Sequence, residues 1–461
     1  MDSSVFASLR GKLQGDILTD NCVRSLYATD ASEYQEQPLA VAFPETDADV
    51  QELVRFARSH RIGLIPRTAG TSLAGQVVGN GIVIDFGRCM NRILSLDVER
   101  RRVRVQPGVV RNELNTYLSQ YELFFAPETS TADWAMIGGM VGNNSCGSNS
   151  IAYGTTRDHL YSARGFLADS SEATFGPLTA DQIHAKCTQP TDSFENTIYR
   201  EICSLLSDDA TRQLIEDSFP KPEVTRRNTG YALDALMQAS CFRSSHSEDF
   251  NFCRLLAGSE GTLFMGVEYE LSLLPRPPSG ALLCIHCESV AESLQATVCI
   301  MQYLQEINIQ PTACELIDRK ILDGTKHNAE HSRNRSFVIG DPDAVLVVEI
   351  RNNDPSEIKT IFDRIEEQLR KHNLGYAYPQ LFGDKGKCVW ELRRAGQGLV
   401  NNLPGDAKPR EIVEDTAVAV HDLPHYIHEF DHLLQTKYGV DCVHYAHAGA
   451  GELHLRPLFN L

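Results

Sequence analysis

Two histidines, His447 and His454, stand seven residues apart in the segment His444-Tyr445-Ala446-His447-Ala448-Gly449-Ala450-Gly451-Glu452-Leu453-His454-Leu455-Arg456-Pro457. The neutral imidazole is the commonest side-chain metal ligand. Glycines at 449 and 451 permit a tight turn that returns the second ring to the first. The pattern points to a divalent metal (zinc or similar) or an active-site pair on His447 and His454. Upstream, Trp390-Glu391-Leu392-Arg393-Arg394 precedes Pro404-Gly405-Asp406-Ala407-Lys408-Pro409. A guanidinium suits two-point recognition of a carboxylate, although an arginine on a helix is more often a surface residue. A third group is Pro66-Arg67-Thr68-Ala69-Gly70-Thr71-Ser72-Leu73-Ala74-Gly75-Gln76. Successive backbone N–H groups in a glycine turn form an anion nest, and hydroxyls add donors. This segment reads as a diphosphate cradle or, more plainly, as a surface turn. It is neither the G-x-G-x-x-G nor the P-loop fingerprint.

These groups need elements to hold them. Residues 46–62 carry a helix signature, with Thr46 or Asp47 as N-cap and Val50, Leu53, Val54 and Ala57 on one face. A short strand at 64–66 precedes the glycine turn, and residues 81–86 read as another strand. Residues 92–107 suggest a hairpin and 110–123 a helix. The stretch 127–160 is dense in Gly, Asn, Ser and Thr and reads as a long functional loop. It contains Ala126-Pro127-Glu128-Thr129-Ser130, then Ile137 to Ser148, then Tyr153-Gly154-Thr155-Thr156-Arg157-Asp158. Two further motifs follow, Arg227-Asn228-Thr229-Gly230-Tyr231 and Gly258-Ser259-Glu260-Gly261-Thr262-Leu263. Strand character returns over 258–275, and the Pro-rich segment 275–280 reads as a linker. Beyond it strands and helices alternate, an α+β pattern. Cys284 and Cys287, three apart on a strand, point to opposite faces and read as packed thiols rather than metal ligands.

The four glycine-rich motifs, in this order and followed by the histidine segment, resemble the flavin-binding domain of the vanillyl-alcohol-oxidase (PCMH-type) superfamily. Within it they resemble the D-lactate, glycolate and D-2-hydroxyglutarate dehydrogenase group, including its longer FAD plus iron–sulfur members. The resemblance implies an α+β fold. A helical lead-in (1–40) is followed by a PCMH-type, two-subdomain FAD-binding domain (41–275). A ferredoxin-like, FAD-linked oxidase C-terminal cap domain (276–461) completes the chain. It implies that Arg67, Thr68, Ala69, Gly70, Thr71, Ser72, Gly75 and Gln76 wrap the FAD diphosphate. Pro127, Thr129, Ser130, Gly138, Gly139, Asn144, Gly147 and Ser148 would hold the cofactor toward its isoalloxazine. Tyr153 and Gly154 close that loop, and Glu260 and Gly261 lie near the adenosine half. Phe264 departs from the family's GSEGTLG turn.

The C-terminal segment matches the group's HxGxGxLH signature. The resemblance therefore implies a divalent metal on His447 and His454, or His454 as the candidate base where no metal is bound. Arg393 would anchor the substrate carboxylate, helped by Arg394 and Lys408. Glu414 and Asp415 are expected to be structural acids that position this basic pocket. In the family a downstream acidic–His–Gly segment adds a third ligand. Residue 461 precedes any such segment, so a shortened sequence or an incomplete centre is expected. The implied activity is FAD-dependent oxidation of a D-2-hydroxy acid to the 2-oxo acid, with hydride passing to the flavin. The alternative is an FAD-binding subunit or fragment that does no chemistry alone. Electrons would leave to a separate protein, a quinone or an iron–sulfur domain.

Composition bounds these readings. The chain has 461 residues, 42% hydrophobic and 23% charged, which suits two or three soluble domains. A formal charge of −18 opposes nucleic-acid binding. No signal peptide or transmembrane run stands out, and thirteen scattered cysteines suit reduced thiols, so a cytoplasmic protein is expected.

Overall fold

The computed structural model describes the chain except residues 1–4, 190–192, 228–229, 244–246, 327, 330 and 461, and the side chains of Gln397 and Glu414. Asn228, Thr229 and the Glu414 side chain therefore lie outside the described residues. The chain divides into two compact units. The first comprises Met1–Cys146, Thr155–Pro220 and Asn228–Arg276, and the second Gly147–Gly154, Lys221–Arg227 and Pro277–Leu461.

The first unit holds two sheets. In one, strands Ala40–Phe43 and Leu64–Arg67 flank Ile82–Asp85 in parallel, and Asp16–Leu18 adds an antiparallel edge. Helix Asp47–His60 makes the crossover. Its N-terminus is a capping box in which Thr46 accepts from Asp49 N, and its Val50, Leu53, Val54 and Phe56 are buried against the sheet. Asp16–Leu18 shows that the lead-in is not wholly helical. The other sheet is antiparallel, in the order Ile93–Asp97, Arg102–Val105, Met265–Ser272, Leu160–Phe166, Glu172–Phe175. The expected long loop at 127–160 instead contains helices Ile137–Asn143, Ser150–Tyr153 and Thr156–His159. In the first of these Ile137, Met140 and Val141 recur at helical spacing and are buried, so packing outweighs the weak helix preference of Gly138, Gly139 and Gly142.

The second unit is a mixed layer. Strands Gly280–Cys287, Ala344–Arg351, Ala313–Asp318, Cys442–His447 and Glu452–Phe459 are consecutive neighbours in one antiparallel sheet. Helices Val290–Glu306, Pro355–Lys371 and Leu423–Leu433 share a core with one face, and helix Lys387–Asn401 packs on the other. Cys284 and Cys287 enter those two different cores, as strand alternation requires. All thirteen cysteines are free thiols. Among the described residues no helix is long and apolar enough to cross a membrane.

Candidate functional site

In the first unit the chain leaves the carboxyl end of strand Leu64–Arg67 and enters the glycine turn, where Gly70 and Gly75 take φ of 67° and 73°. Ser72 Oγ donates to Gln76 Oε1 at 2.7 Å. Gln76 Nε2 donates to Asn143 Oδ1 and Glu260 Oε1, each at 2.9 Å, so one amide joins three motifs distant in sequence. Backbone bonds reinforce the meeting: Gly258 N donates to Val141 O and Glu260 N to Gly142 O, each at 2.9 Å. Glycine is required where the loops touch. A Cβ on Gly139 would stand 2.5 Å from Thr68 Oγ1, and one on Gly261 would strike the Pro66 ring. Asn144 ends its helix in the left-handed conformation, fully buried, and its Oδ1 accepts from Arg157 N at 2.8 Å. Its Nδ2 has no hydrogen-bond partner among the described residues. An orphaned buried donor within a glycine-lined cradle is the chemistry that an anionic, hydrogen-bonding cofactor satisfies.

The rest of the expected cofactor set is placed differently. Arg67 donates to Thr29 O at 2.7 Å and stacks over Tyr27, so its guanidinium braces the turn. Pro127 O accepts from Arg111 Nε at 3.0 Å, Thr129 Oγ1 lies 3.4 Å from Thr131, and Ser130 is exposed. Gly147, Ser148, Tyr153 and Gly154 belong to the second unit. Phe264, where a glycine was expected, is buried against Phe175 with ring centroids 5.3 Å apart.

In the second unit strands Cys442–His447 and Glu452–Phe459 form a hairpin in which His447 faces Glu452 and Tyr445 faces His454. Gly451 takes φ of 74°, and a Cβ on Gly449 would stand 2.6 Å from Cys314 Cβ, so the turn demands both glycines. The rings of His447 and His454 come to 5.0 Å. One ligand atom each of His447, Glu452 and His454 falls within 4.8 Å of the others.

Each imidazole is backed by a carboxylate. Glu315, fully buried on strand Ala313–Asp318, lies 2.9 Å from His447 Nδ1 and 2.7 Å from an Arg393 terminal nitrogen. Burial alone would raise the Glu315 pKa, but His447 and Arg393 draw it below the ordinary carboxylate range. Burial pushes His447 down to about 4, which keeps it neutral. An ionised Glu315 can only accept, so Nδ1 carries the ring proton and Nε2 is left as a lone-pair donor. Asp415 stands 2.9 Å from His454 Nδ1 and sits at a β-bulge with φ of 49°. Burial opposes its charge, but the bond to His454 holds its pKa far below the usual range. Burial raises Glu452 to about 7 against the pull of Arg226, with which it is ion-paired. Arg226 also donates to Ser150 Oγ at 2.7 Å and to Gly147 O at 3.1 Å. Two carboxylate-backed imidazoles beside a third oxygen donor fit a divalent ion of the zinc class.

Residues 38–176 match the family of FAD binding domains, and residues 276–461 match the FAD linked oxidases, C-terminal domain. The two matches give the chain an FAD binding domain followed by the C-terminal domain of FAD linked oxidases. The chain is 32% identical over 460 residues to D-2-hydroxyglutarate dehydrogenase of Pseudomonas putida, an alignment covering 97% of this chain and 44% of that protein. It is 24% identical over 439 residues to glycolate oxidase subunit GlcD of Bacillus subtilis, covering 94% and 76%. The chain thus spans less than half the length of the D-2-hydroxyglutarate dehydrogenases it matches. Among solved structures, p-cresol methylhydroxylase with substrate bound superposes with a TM-score of 0.66 at 13% identity, covering 100% of this chain and 84% of that one. That likeness is one of fold.

Arg393 is buried, not on the helix surface, and its guanidinium lies 3.4 Å over the Tyr445 ring. Its Nε has no hydrogen-bond partner among the described residues. Arg394, by contrast, is exposed. Lys408 is not brought to the histidines: it donates to Leu403 O at 2.6 Å and pairs with Phe459, five residues beyond His454. Glu315, Arg226 and Glu452 escaped the sequence reading. The signal for Glu315 was a lone acid inside the apolar run Ala313-Cys314-Glu315-Leu316-Ile317; Glu452 was in view within the histidine motif.

Proposed function

We propose that this protein carries out FAD-dependent oxidation of a small D-2-hydroxy acid, of the D-2-hydroxyglutarate or D-lactate type, to the 2-oxo acid. The observation that carries this reading is the pair of imidazoles His447 and His454, each oriented by its own carboxylate beside the buried Arg393. Arg393 offers its unpaired Nε to the substrate carboxylate, while Glu315 and Tyr445 hold its plane. His454, whose Nδ1 stands 2.9 Å from Asp415, is the imidazole that would meet the substrate hydroxyl or a metal. His447, Glu452 and His454 are the residues that would hold a divalent ion. Thr68, Gly139, Asn144 and the turn to Gln76 are the residues that would hold FAD, which would supply the hydride acceptor, and an ion at the histidines would supply a Lewis acid for the hydroxyl.

A separate protein or quinone is the proposed electron acceptor, and a cytoplasmic setting suits the free thiols. The test is anaerobic addition of D-2-hydroxyglutarate and of D-lactate to the flavin-loaded protein. Bleaching of the flavin band at about 450 nm is expected with at least one of them. A loaded flavin that neither acid bleaches sinks the reading. It would favour an FAD-binding portion that does no chemistry alone.

A further inference from the structure

Tyr445 lies on strand Cys442–His447 with Ile317 and His454 as its cross-strand neighbours. Helix Lys387–Asn401 packs in the same core as its ring. Several contacts converge on that one ring. The Arg393 guanidinium lies 3.4 Å over it, and the Tyr445 hydroxyl donates to the backbone carbonyl of the same Arg393 at 2.6 Å. The His454 ring stands 5.6 Å away between centroids, tilted by 37°. A Cβ on Gly396, three residues beyond Arg393, would stand 2.9 Å from Tyr445 Cε2, so glycine is what lets the helix come this close. A ring that only filled the core would need no tie to the main chain of the helix above it. Tyr445 instead grips Arg393 at both ends, carbonyl and guanidinium, while Glu315 holds a terminal nitrogen at 2.7 Å. An arginine has many rotamers to lose, and a side chain already held in one of them binds a partner at lower entropic cost.

We infer that Tyr445 is a positioning residue that sets the separation between Arg393 and His454. It thereby fixes where the substrate carboxylate sits relative to the 2-hydroxyl. The inference rests on the reading of Arg393 as the carboxylate anchor and of His454 as the imidazole at the hydroxyl. In a 2-hydroxy acid those two groups are on adjacent carbons, so anchor and imidazole have to be held to a narrow tolerance. A misplacement of about 1 Å costs about 10²-fold in rate. A single rigid ring with few torsions, in contact with both groups, meets that tolerance better than two side chains held independently. Tyr445 acts through Arg393 and His454 and carries no proton of the reaction itself.

The test uses the full, flavin-loaded protein. Binding of 2-oxoglutarate and of pyruvate, 2-oxo acids of the product type, is measured by calorimetry, beside KM and kcat for D-2-hydroxyglutarate and D-lactate. Tyr445→Phe keeps the ring and loses the bond to Arg393 O. Affinity for the 2-oxo acid should fall about fivefold, the effect of one net hydrogen bond; KM should rise in step, with kcat changed by less than about twofold. Tyr445→Leu also loses the ring face under the guanidinium and the contact with His454. Affinity should then fall about thirtyfold or more, and kcat about tenfold. Val389→Ala, in the same core and on the same helix, should lower the thermal midpoint and leave affinity, KM and kcat unchanged. If both Tyr445 variants bind the 2-oxo acids as tightly as the parent, Tyr445 positions nothing, and the proposed reaction still stands. A parent that binds a 2-oxo acid but is bleached by neither hydroxy acid ends the proposed reaction alone, and the variants' affinities still decide the role of Tyr445. A parent that binds neither 2-oxo acid removes the anchor, and the inference with it.

Discussion

The cradle of the first unit and the histidine cluster of the second use opposite physics. The cradle is sparsely charged: glycines, hydroxyls and amides converge around one exposed carboxylate, with Gln76 donating to Asn143 and Glu260 and the buried donor Asn144 Nδ2 left over. The cluster is charged, with Glu315, Arg393, Glu452 and Arg226 all buried. Such a cradle tolerates change locally, because few desolvated charges depend on each other. In a buried ionic network, removing one member strands the rest. The comparison breaks if substitutions in the two places have the same kind of effect.

The largest separation should come from His454→Ala. It removes an active-site imidazole while leaving the cradle untouched. Turnover with the best D-2-hydroxy acid should fall about 10³-fold or more, with flavin content equal to the parent's. Loss of flavin together with activity would show that the two regions are one unit of function after all. Next is Glu315→Ala, which leaves Arg393 without its counter-charge and His447 Nδ1 without its acceptor. Breaking one partner of a buried pair costs about 3–5 kcal/mol, readable as a fall in the urea midpoint. Glu315→Gln keeps a hydrogen-bond acceptor and should cost less than Glu315→Ala. Equal midpoints for all three proteins would mean that the network contributes nothing to stability.

The same contrast explains what the sequence made legible. Strand Leu64–Arg67, its glycine turn and the hairpin of His447 and His454 are local: each is a run of neighbouring residues whose conformational needs are written in glycines and alternation. The cradle followed as soon as the four motifs were read as one ligand's contacts. The cluster's partners come from positions 226, 315, 393 and 415, four separate stretches, two on strands, one on a helix and one in a loop, that only the tertiary fold assembles. An isolated glutamate or arginine carries no periodic signal, so Glu315 and Arg226 passed unnoticed. Lys408 shows the converse: a basic residue in a suggestive loop, five residues along the strand pairing from His454 and tied to a backbone carbonyl. Helix Ile137–Asn143 was missed because glycine and asparagine composition outweighed three apolar residues at helical spacing.

A milder probe of the cradle is Gly139→Val. The added carbons have Thr68 Oγ1 at 2.5 Å from the Cβ position. Overpacking of this kind costs about 1–3 kcal/mol, so FAD should bind roughly ten- to a hundredfold more weakly. Zinc uptake at His447 and His454 should not change. Unaltered flavin affinity would show that the cofactor does not depend on this contact.

The smallest effect tests whether a buried carboxylate outside both regions follows the same electrostatic rule. Asp49 accepts four backbone N–H bonds, from Gln14 at 2.8 Å, Gly15 at 3.2 Å, Glu45 at 2.9 Å and Thr46 at 3.1 Å. Burial opposes its charge, but these donors together draw its pKa below the ordinary value. A pKa lower in the folded than in the unfolded chain means that the unfolded chain binds the proton more readily. The stabilisation is therefore complete above the unfolded pKa of about 4 and fades as pH falls through the folded value. Asp49→Ala should cost about 1–2 kcal/mol at neutral pH, measured as the difference in urea midpoint from the parent. That difference should shrink steadily below pH of about 4. A gap of constant size from pH 7 to pH 3 would mean that the carboxylate's charge plays no part.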